Sequence, residues 1–565
     1  MIPYCFKNIA TTYPETVTLG NVNTRKTTHF FLDFTTVIKA CCRQVLAKYK
    51  TAEISNDKLE LAMLQEIKRE LVELKKKVNP TKCLYIAIDG VLPRAKMEPQ
   101  RRQRFSNASL QTQLLKLKED YQIKKEASWD MNALLAGTQF QAKVSDYLKV
   151  LINSFKDLEV ILSDSTVPGE GKYKIFHYIK NTSFDNDVSV IVYGLETSLI
   201  RMAMVCTLKT LTLMGTDERS SITQTSNTNQ YYLNIPLFKK KLTAKITAKM
   251  LIEDSIDCER FIHDYLSLGF LLGNTLLPAL TSISTTEGIT VLLDIYCTVL
   301  LDRKEYLVNG SEINKGFLKS ILYNLLNLED TMVLQNSKDH SLVTSLPVSP
   351  PLDYTAAVSL VTHSPPHQYP QNRIGMGTTD WRNRYYKSVF KLDYYQETSE
   401  IMDICLNYFE GIEWVSKYYF EDCCSWDWYY PHRHSPTIKE LYEYLDLSFS
   451  KIALEISEPV SPHEQLLMVL PPQSSHLLPT GLRELMSSYH SPLIAYYPIN
   501  IQFDQFQKHK RQDCVPRLPQ MDYTILKTHY DKISITTKSR NNRCGQDYIK
   551  NKVIVKNIQL NISGS

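Results

Sequence analysis

The sequence predicts an α/β fold: a mostly parallel sheet flanked by helices, followed by a mainly helical second region. Three observations predict it. Short apolar runs alternate with longer amphipathic ones through the first third of the chain, as strands do with the helices that cover them. Acids stand at or just past the ends of those apolar runs. Beyond a Ser-, Pro- and His-rich interruption, a long aromatic-rich stretch keeps helical character.

Four runs read as strands: His29 to Phe34, Cys83 to Asp89, Glu159 to Asp164 and Val188 to Gly194. Between the first two, Lys58 to Val78 places Leu59, Met63, Ile67, Leu71 and Leu74 at helical spacing, with Glu and Lys on the other face. Gln111 to Glu126, rich in Leu and Lys, predicts another helix. Residues 336–376 lose periodicity and predict a loop or linker. Residues 1–335 are therefore read as the core, 377–530 as the helical second region and 531–565 as a basic tail carrying Lys538, Arg540, Arg543, Lys550, Lys552 and Lys556.

With 565 residues the chain is long enough for a sizeable core, and 43% hydrophobic with 22% charged residues excludes wholesale disorder, collagen and a coiled-coil rod. Lys plus Arg number 65 against 60 Asp plus Glu, so the net charge of +5 names no partner by itself. No apolar run suits a membrane span and the start lacks the design of a signal peptide, so an intracellular protein is expected, cytoplasmic rather than nuclear. Twelve scattered Cys without C-x-x-C spacing predict reduced, structural thiols.

The acids carry the chemistry. Asp33, Asp89 and Glu196 each follow a predicted strand, and in open α/β sheets the carboxyl ends of strands form the ligand crevice. Any one of them could equally be a turn former or helix N-cap; three together favour a site. Glu170 leaves the third strand through a Pro-Gly turn and would point into the same crevice. Behind Asp89 come Arg94, Lys96, Arg101, Arg102 and Arg104, a density suited to phosphate.

On these residues the chain resembles the XRN family of 5′→3′ exoribonucleases. The resemblance runs from Ile2-Pro-Tyr-Cys-Phe6 and Tyr13-Pro14 through Leu32-Asp33-Phe34, Asp89 to Phe105, Pro168-Gly-Glu-Gly171, Tyr193-Gly-Leu195 and Leu272-Gly-Asn-Thr-Leu-Leu-Pro278. It resumes at Trp381-Arg-Asn-Arg-Tyr-Tyr-Lys387, Tyr408 to Val415, Ser425-Trp-Asp-Trp-Tyr-Tyr-Pro431 and Pro462 to Pro471, with Ser491-Pro492 and Tyr497-Pro498 following.

The resemblance implies a flap-endonuclease- or PIN-like nuclease core that hydrolyses single-stranded, 5′-monophosphorylated RNA processively to mononucleotides. It implies acids holding two Mg²⁺ or Mn²⁺ ions, which generate the nucleophile and clamp the scissile phosphate, and no other cofactor. Asp33, Asp89, Glu170 and Glu196 match the family acids, whereas Lys172, Ser198 and Thr275 stand where three more are usual. Attenuated activity is therefore the leading expectation among three outcomes: ordinary activity with substitute ligands such as Asp164, Asp254 or Asp264, a slow one-metal reaction with Lys172 taking part of a cation's role, or an inert core. In that last case the protein would be an RNA 5′-end binder.

By the same resemblance Lys96, Gln100 and Arg104 would hold the 5′-phosphate, with Gln103 where an Arg is usual. Trp426 or Trp428 would stack the terminal base, although core packing is the plainer reading of either, and Lys39 stands at the position of the opposing His. A monomer without the C-terminal modules of longer members is expected.

Overall fold

The computed structural model describes residues 5–20, 26–49, 54–123, 129–156, 158–216, 230–250, 256–283, 288–341, 353–364, 374–508, 510–533 and 554–556. Its central sheet contains β1 (Val17–Leu19), β2 (His29–Asp33), β3 (Cys83–Ala87), β4 (Glu159–Ser163), β5 (Val190–Tyr193), β6 (Leu211–Thr216) and β7 (Gln230–Asn234). They lie in the order β1-β7-β6-β5-β2-β3-β4, and Ile554–Lys556 adds an antiparallel strand beside β4. The five central strands, β6 to β4, are parallel; β7 and β1 run antiparallel at the edge.

Parallel strands covered on both sides need apolar residues on both faces, and alternate side chains of these strands supply them. Phe31, Tyr85, Ile161 and Val192 enter one core, while Phe30, Leu32, Leu84, Ile86, Val160 and Leu162 enter the other. The second core is closed by helices Phe34–Lys48, Asn56–Val78 and Gln139–Ile152. Helix Asn56–Val78 buries the predicted stripe of Leu59, Met63, Ile67, Leu71 and Leu74. The first core continues without a break into the second region, taking in Tyr408, Phe409, Trp414 and Tyr418 of helix Thr398–Phe420.

Two expectations change. The helix predicted from residue 111 starts at Arg94 and runs to Asp120, because no glycine interrupts the segment and Pro99 lies early enough for the helix to carry it. Within the stretch read as a loop, Tyr354–His363 is a helix whose Tyr354 ring meets Tyr121 at 5.9 Å, and helix Lys315–Ser341 crosses the expected boundary at 335. Lys538, Arg540, Arg543, Lys550 and Lys552 of the basic tail lie outside the described residues.

The second region is clasped onto the segment that follows β3. Val91, Leu92, Met97 and Phe105 pack with Leu466, Leu467, Leu482 and Leu526. The Leu92 amide donates to Gln465 at 2.7 Å, and the Arg94 guanidinium donates to the Met521 carbonyl at 2.5 Å. Arg101 donates to the carbonyls of Pro519 at 2.7 Å and Tyr496 at 2.6 Å. Arg94 and Arg101, counted from the sequence among phosphate-binding cations, are thus fasteners. Replacing Arg101 with Met leaves two carbonyls unpaired and is expected to lower stability by about 2–3 kcal/mol. Urea unfolding would check it, and an unchanged midpoint would show that the clasp contributes nothing.

Candidate active site

β2, β3 and β5 end at the same edge of the sheet, and their parallel register brings the acids that follow them together. Asp33 is the last residue of β2 and Asp89 lies two residues past β3. Glu196 is the N-cap of helix Thr197–Val205 after β5, and Glu170 is the N-cap of helix Gly171–Lys180 after the turn that leaves β4. In that turn Gly169 has φ +102°, which glycine adopts without strain. Gly171 is required by proximity, since a Cβ there would stand 2.7 Å from Asp33 Oδ1.

Backbone and hydroxyl donors fix the carboxylates. The Gly171 amide donates to Asp89 Oδ1 at 2.8 Å, and the Asp89 amide donates to Thr35 Oγ1 at 2.8 Å. Thr36 Oγ1 donates to Glu196 Oε1 at 2.9 Å. Three ammonium groups stand among the acids. Lys172 Nζ lies 3.4 Å from Glu170 Oε1 and 3.9 Å from Glu196 Oε2, Lys96 Nζ lies 3.2 Å from Glu170 Oε2, and Lys39 Nζ lies 4.0 Å from Asp89 Oδ2.

These charges act on one another at short range, most strongly around Asp33, Glu170, Lys96 and Lys172, which are largely withdrawn from water. Burial alone would raise Glu170, but Lys172 and Lys96 hold it down at about 2. Burial would lower Lys172, yet Glu170, Asp33 and Glu196 push its ammonium upward, so it stays charged. Asp33 goes the other way: burial first, then the neighbouring Asp89, raise it to about 8. A raised carboxyl contributes its stability below about pH 4 and loses it as pH climbs through the folded value. In chelator, stability is therefore expected to decline from pH 6 to 9, and Asp33→Asn should flatten that decline. Thermal unfolding at each pH would check it, and identical slopes would disprove the assignment.

The oxygen donors that could hold a divalent ion are those of Asp33 and Asp89. Asp33 Oδ1 is buried without a hydrogen-bond partner beside Asp89, and Mg²⁺ is often held by one or two carboxylates with waters and substrate phosphate. On the other side, the Lys172 ammonium already lies against Glu170 and Glu196. Among the described residues no three His, Cys, Asp or Glu side chains gather closely enough to share an ion.

The acids named as substitutes do not join the cluster. Asp164 binds Thr166 and Lys149, Asp264 is buried against the Tyr296 hydroxyl and the amides of Leu307 and Val308, and Asp254 lies outside the described residues. Ser198 sits in the first turn of the helix capped by Glu196, and Thr275 follows Asn274, whose carboxamide caps the amides of Leu276 and Leu277.

Helix Arg94–Asp120 carries Lys96, Gln100 and Arg104 along one stripe at intervals of four. Arg104 donates to Gln100 Oε1 at 2.8 Å and to Asn132 Oδ1 at 3.1 Å, leaving Nη1 unpartnered. Burial pulls its guanidinium down to about 10, which keeps it charged at neutral pH. Gln103 faces elsewhere: it is exposed and donates to Asn107 at 3.1 Å.

The two Trp differ: Trp426 is packed into the core, the plainer reading of it, whereas Trp428 is half-buried. Trp426 is 5% exposed and its carbonyl accepts from the Arg94 amide. Trp428 is stacked 5.6 Å from Trp414 and donates to Glu410 at 3.3 Å. Trp414 stacks in turn on Tyr418 at 5.1 Å, and the Tyr418 hydroxyl donates to Glu170 Oε2 at 3.2 Å. Tyr418 is the contact that sequence reasoning missed. Its signal was the four-residue spacing from Trp414, which reads as ordinary helix packing.

A parallel sheet that gathers acids at one edge beside Lys96 and Arg104, and that is flanked by helices, is an open α/β architecture with its crevice at the carboxyl ends of the strands. Residues 1–217 match the family model for the XRN 5′-3′ exonuclease N-terminus, and residues 255–345 and 357–560 match that for the Xrn1 helical domain. The chain belongs to the XRN family.

It is 24% identical to 5′-3′ exoribonuclease 1 of Schizosaccharomyces pombe over 93% of this chain and 48% of that protein. It is 25% identical to human 5′-3′ exoribonuclease 1 over 83% of this chain and 30% of that protein. With 5′-3′ exoribonuclease 2 of Kluyveromyces lactis it shares 24% identity over 91% of this chain and 72% of that protein. The chain thus spans about half, or less, of the first two relatives. No helix among the described residues is long and apolar enough to cross a membrane.

Proposed function

We propose that the protein is a 5′→3′ exoribonuclease that releases mononucleotides from single-stranded RNA bearing a 5′-monophosphate, working slowly with one divalent ion. The observation that carries this reading is the meeting of Asp33, Asp89, Glu170 and Glu196 at one sheet edge, beside the helical stripe of Lys96, Gln100 and Arg104.

A divalent ion bound at Asp33 and Asp89 would lower the pKa of an attacking water and polarise the scissile phosphate. The chain's own residues do the rest. Arg104 and Lys96 present charged donors to the terminal phosphate, which sets the register of the strand. Lys172 holds a positive charge between Glu170 and Glu196, where negative charge would otherwise repel the approaching phosphodiester. Tyr418 and Lys96 fix one oxygen of Glu170, so that this carboxylate cannot swing into the path of the strand. The free thiols among the described residues accord with work in a reducing, intracellular compartment, the cytoplasm in this proposal.

The test is digestion of a 3′-labelled, 5′-monophosphorylated single strand in Mg²⁺ and then Mn²⁺, beside the 5′-hydroxyl RNA and an Asp89→Ala variant. Slow release of mononucleotides that needs the monophosphate, the ion and Asp89 is the expected result. The contact of Lys172 with two of the four acids favours a second reading, a 5′-end binder that does not cut. Monophosphate-dependent binding in chelator, with no digestion under any ion, would establish that reading and overturn the first.

A further inference from the structure

A cavity of about 650 Å³ opens on the opposite edge of the sheet from the carboxylates, where Val188 leads into β5 and Thr210 into β6. That volume suits a small ligand. Its walls are rings: Phe176, Phe184, Tyr419 and Phe420, with His263 lying flat on Phe420 at 4.4 Å. Such walls favour a planar ring, since any heteroaromatic base has a π-face to stack.

The acids at the rim already have partners. Asp185 pairs with Lys82 at 2.7 Å, Glu259 with Lys239 at 2.6 Å, and Glu421 accepts from Ser311 at 2.7 Å. Lys180 is also engaged, donating to the carbonyls of Phe420 and Glu421. Lys209 lines the same rim with no ion-pair partner among the described residues. One uncommitted ammonium beside an aromatic slot selects a ring that carries an anionic group. Tyr173 and Tyr418 line the cavity too, stacked 5.4 Å apart, so it shares Tyr418 with the surroundings of Glu170.

We propose that this cavity binds a nucleoside monophosphate, its base between the rings of Phe176, Phe184, Tyr419 and Phe420 and its phosphate at Lys209. Binding is independent of whether the carboxylate cluster cuts RNA, so it is read by calorimetry rather than by digestion. Adenosine monophosphate would be titrated into the full chain and into Leu208→Trp, which fills the cavity, Lys209→Glu, which reverses the charge at the rim, and Lys143→Ala, an exposed lysine paired with Glu60 away from the cavity and from the carboxylates.

Affinity at least about tenfold weaker in Leu208→Trp and Lys209→Glu, and unchanged in Lys143→Ala, is the expected result. Adenosine should bind about tenfold more weakly than the monophosphate. Absence of binding, affinity in the two cavity variants equal to that of the unaltered chain, or a loss in Lys143→Ala as large as theirs would overturn the proposal; the second would place the nucleotide in the carboxylate crevice. Should Leu208→Trp fail to fold, Lys209→Glu, at an exposed position, decides the matter.

Discussion

Replacing Lys172 with Glu is expected to lower RNA cleavage sharply and to destabilise the protein in chelator. The ammonium lies 3.4 Å from Glu170 and 3.9 Å from Glu196, and its side chain is only 13% exposed. Removing one partner from a buried ion pair costs about 3–5 kcal/mol, because the remaining charge stays out of water without compensation. The substitution also puts a fifth acid into the cluster. If Lys172 supplies positive charge to the transition state, cleavage should fall by about 10²–10³-fold, the scale of losing a preorganised electrostatic group. Saturating Mg²⁺ should restore part of the lost stability, because the crowded carboxylates then share a cation. Digestion rates and thermal unfolding with and without Mg²⁺ would check both halves. A clear rise in cleavage would show instead that Lys172 blocks a second ion site.

Arg104→Ala is expected to abolish the preference for a 5′-monophosphate. The guanidinium is buried, bonded to Gln100 and Asn132, and keeps one nitrogen without a partner. Charge-assisted hydrogen bonds of this kind contribute about 1.5–3 kcal/mol, so affinity for the monophosphorylated end should fall about 10–100-fold. Affinity for a 5′-hydroxyl strand should barely move. Competition binding with the two RNAs would check it, and an equal fall for both would mean that Arg104 serves the strand as a whole or only the fold.

The sequence made the central strands legible because burial on both faces leaves nearly continuous apolar runs. β2, β3, β4 and β5 fall within the runs read as strands, and the stripe of helix Asn56–Val78 fell out of its period. The antiparallel strands β1 and β7 and the strand β6 beside them carry weaker patterns, and β1 pairs with a neighbour more than 200 residues away. The four acids were legible because strand ends converge in a parallel sheet. The roles of the cations were not, because an arginine that holds a phosphate and one that holds a backbone carbonyl look alike in sequence. Arg101 and Arg104 lie three residues apart on one helix, yet one fastens the second region and the other faces the site. The burial of Trp426 was not legible for a related reason: a motif fixes a residue type and leaves its exposure to packing.

The clasp between the segment after β3 and the second region bears on how the protein can be dissected. The Leu92 amide and the guanidinium groups of Arg94 and Arg101 donate to groups supplied more than 370 residues later. A fragment ending near residue 335 would present those donors, together with the apolar faces of Val91, Met97 and Phe105, to solvent. Severed halves would therefore report on solubility before they reported on RNA. Sequence change on either side of this seam is constrained by the other side, so the two regions should be inherited, and exchanged between relatives, as a single piece.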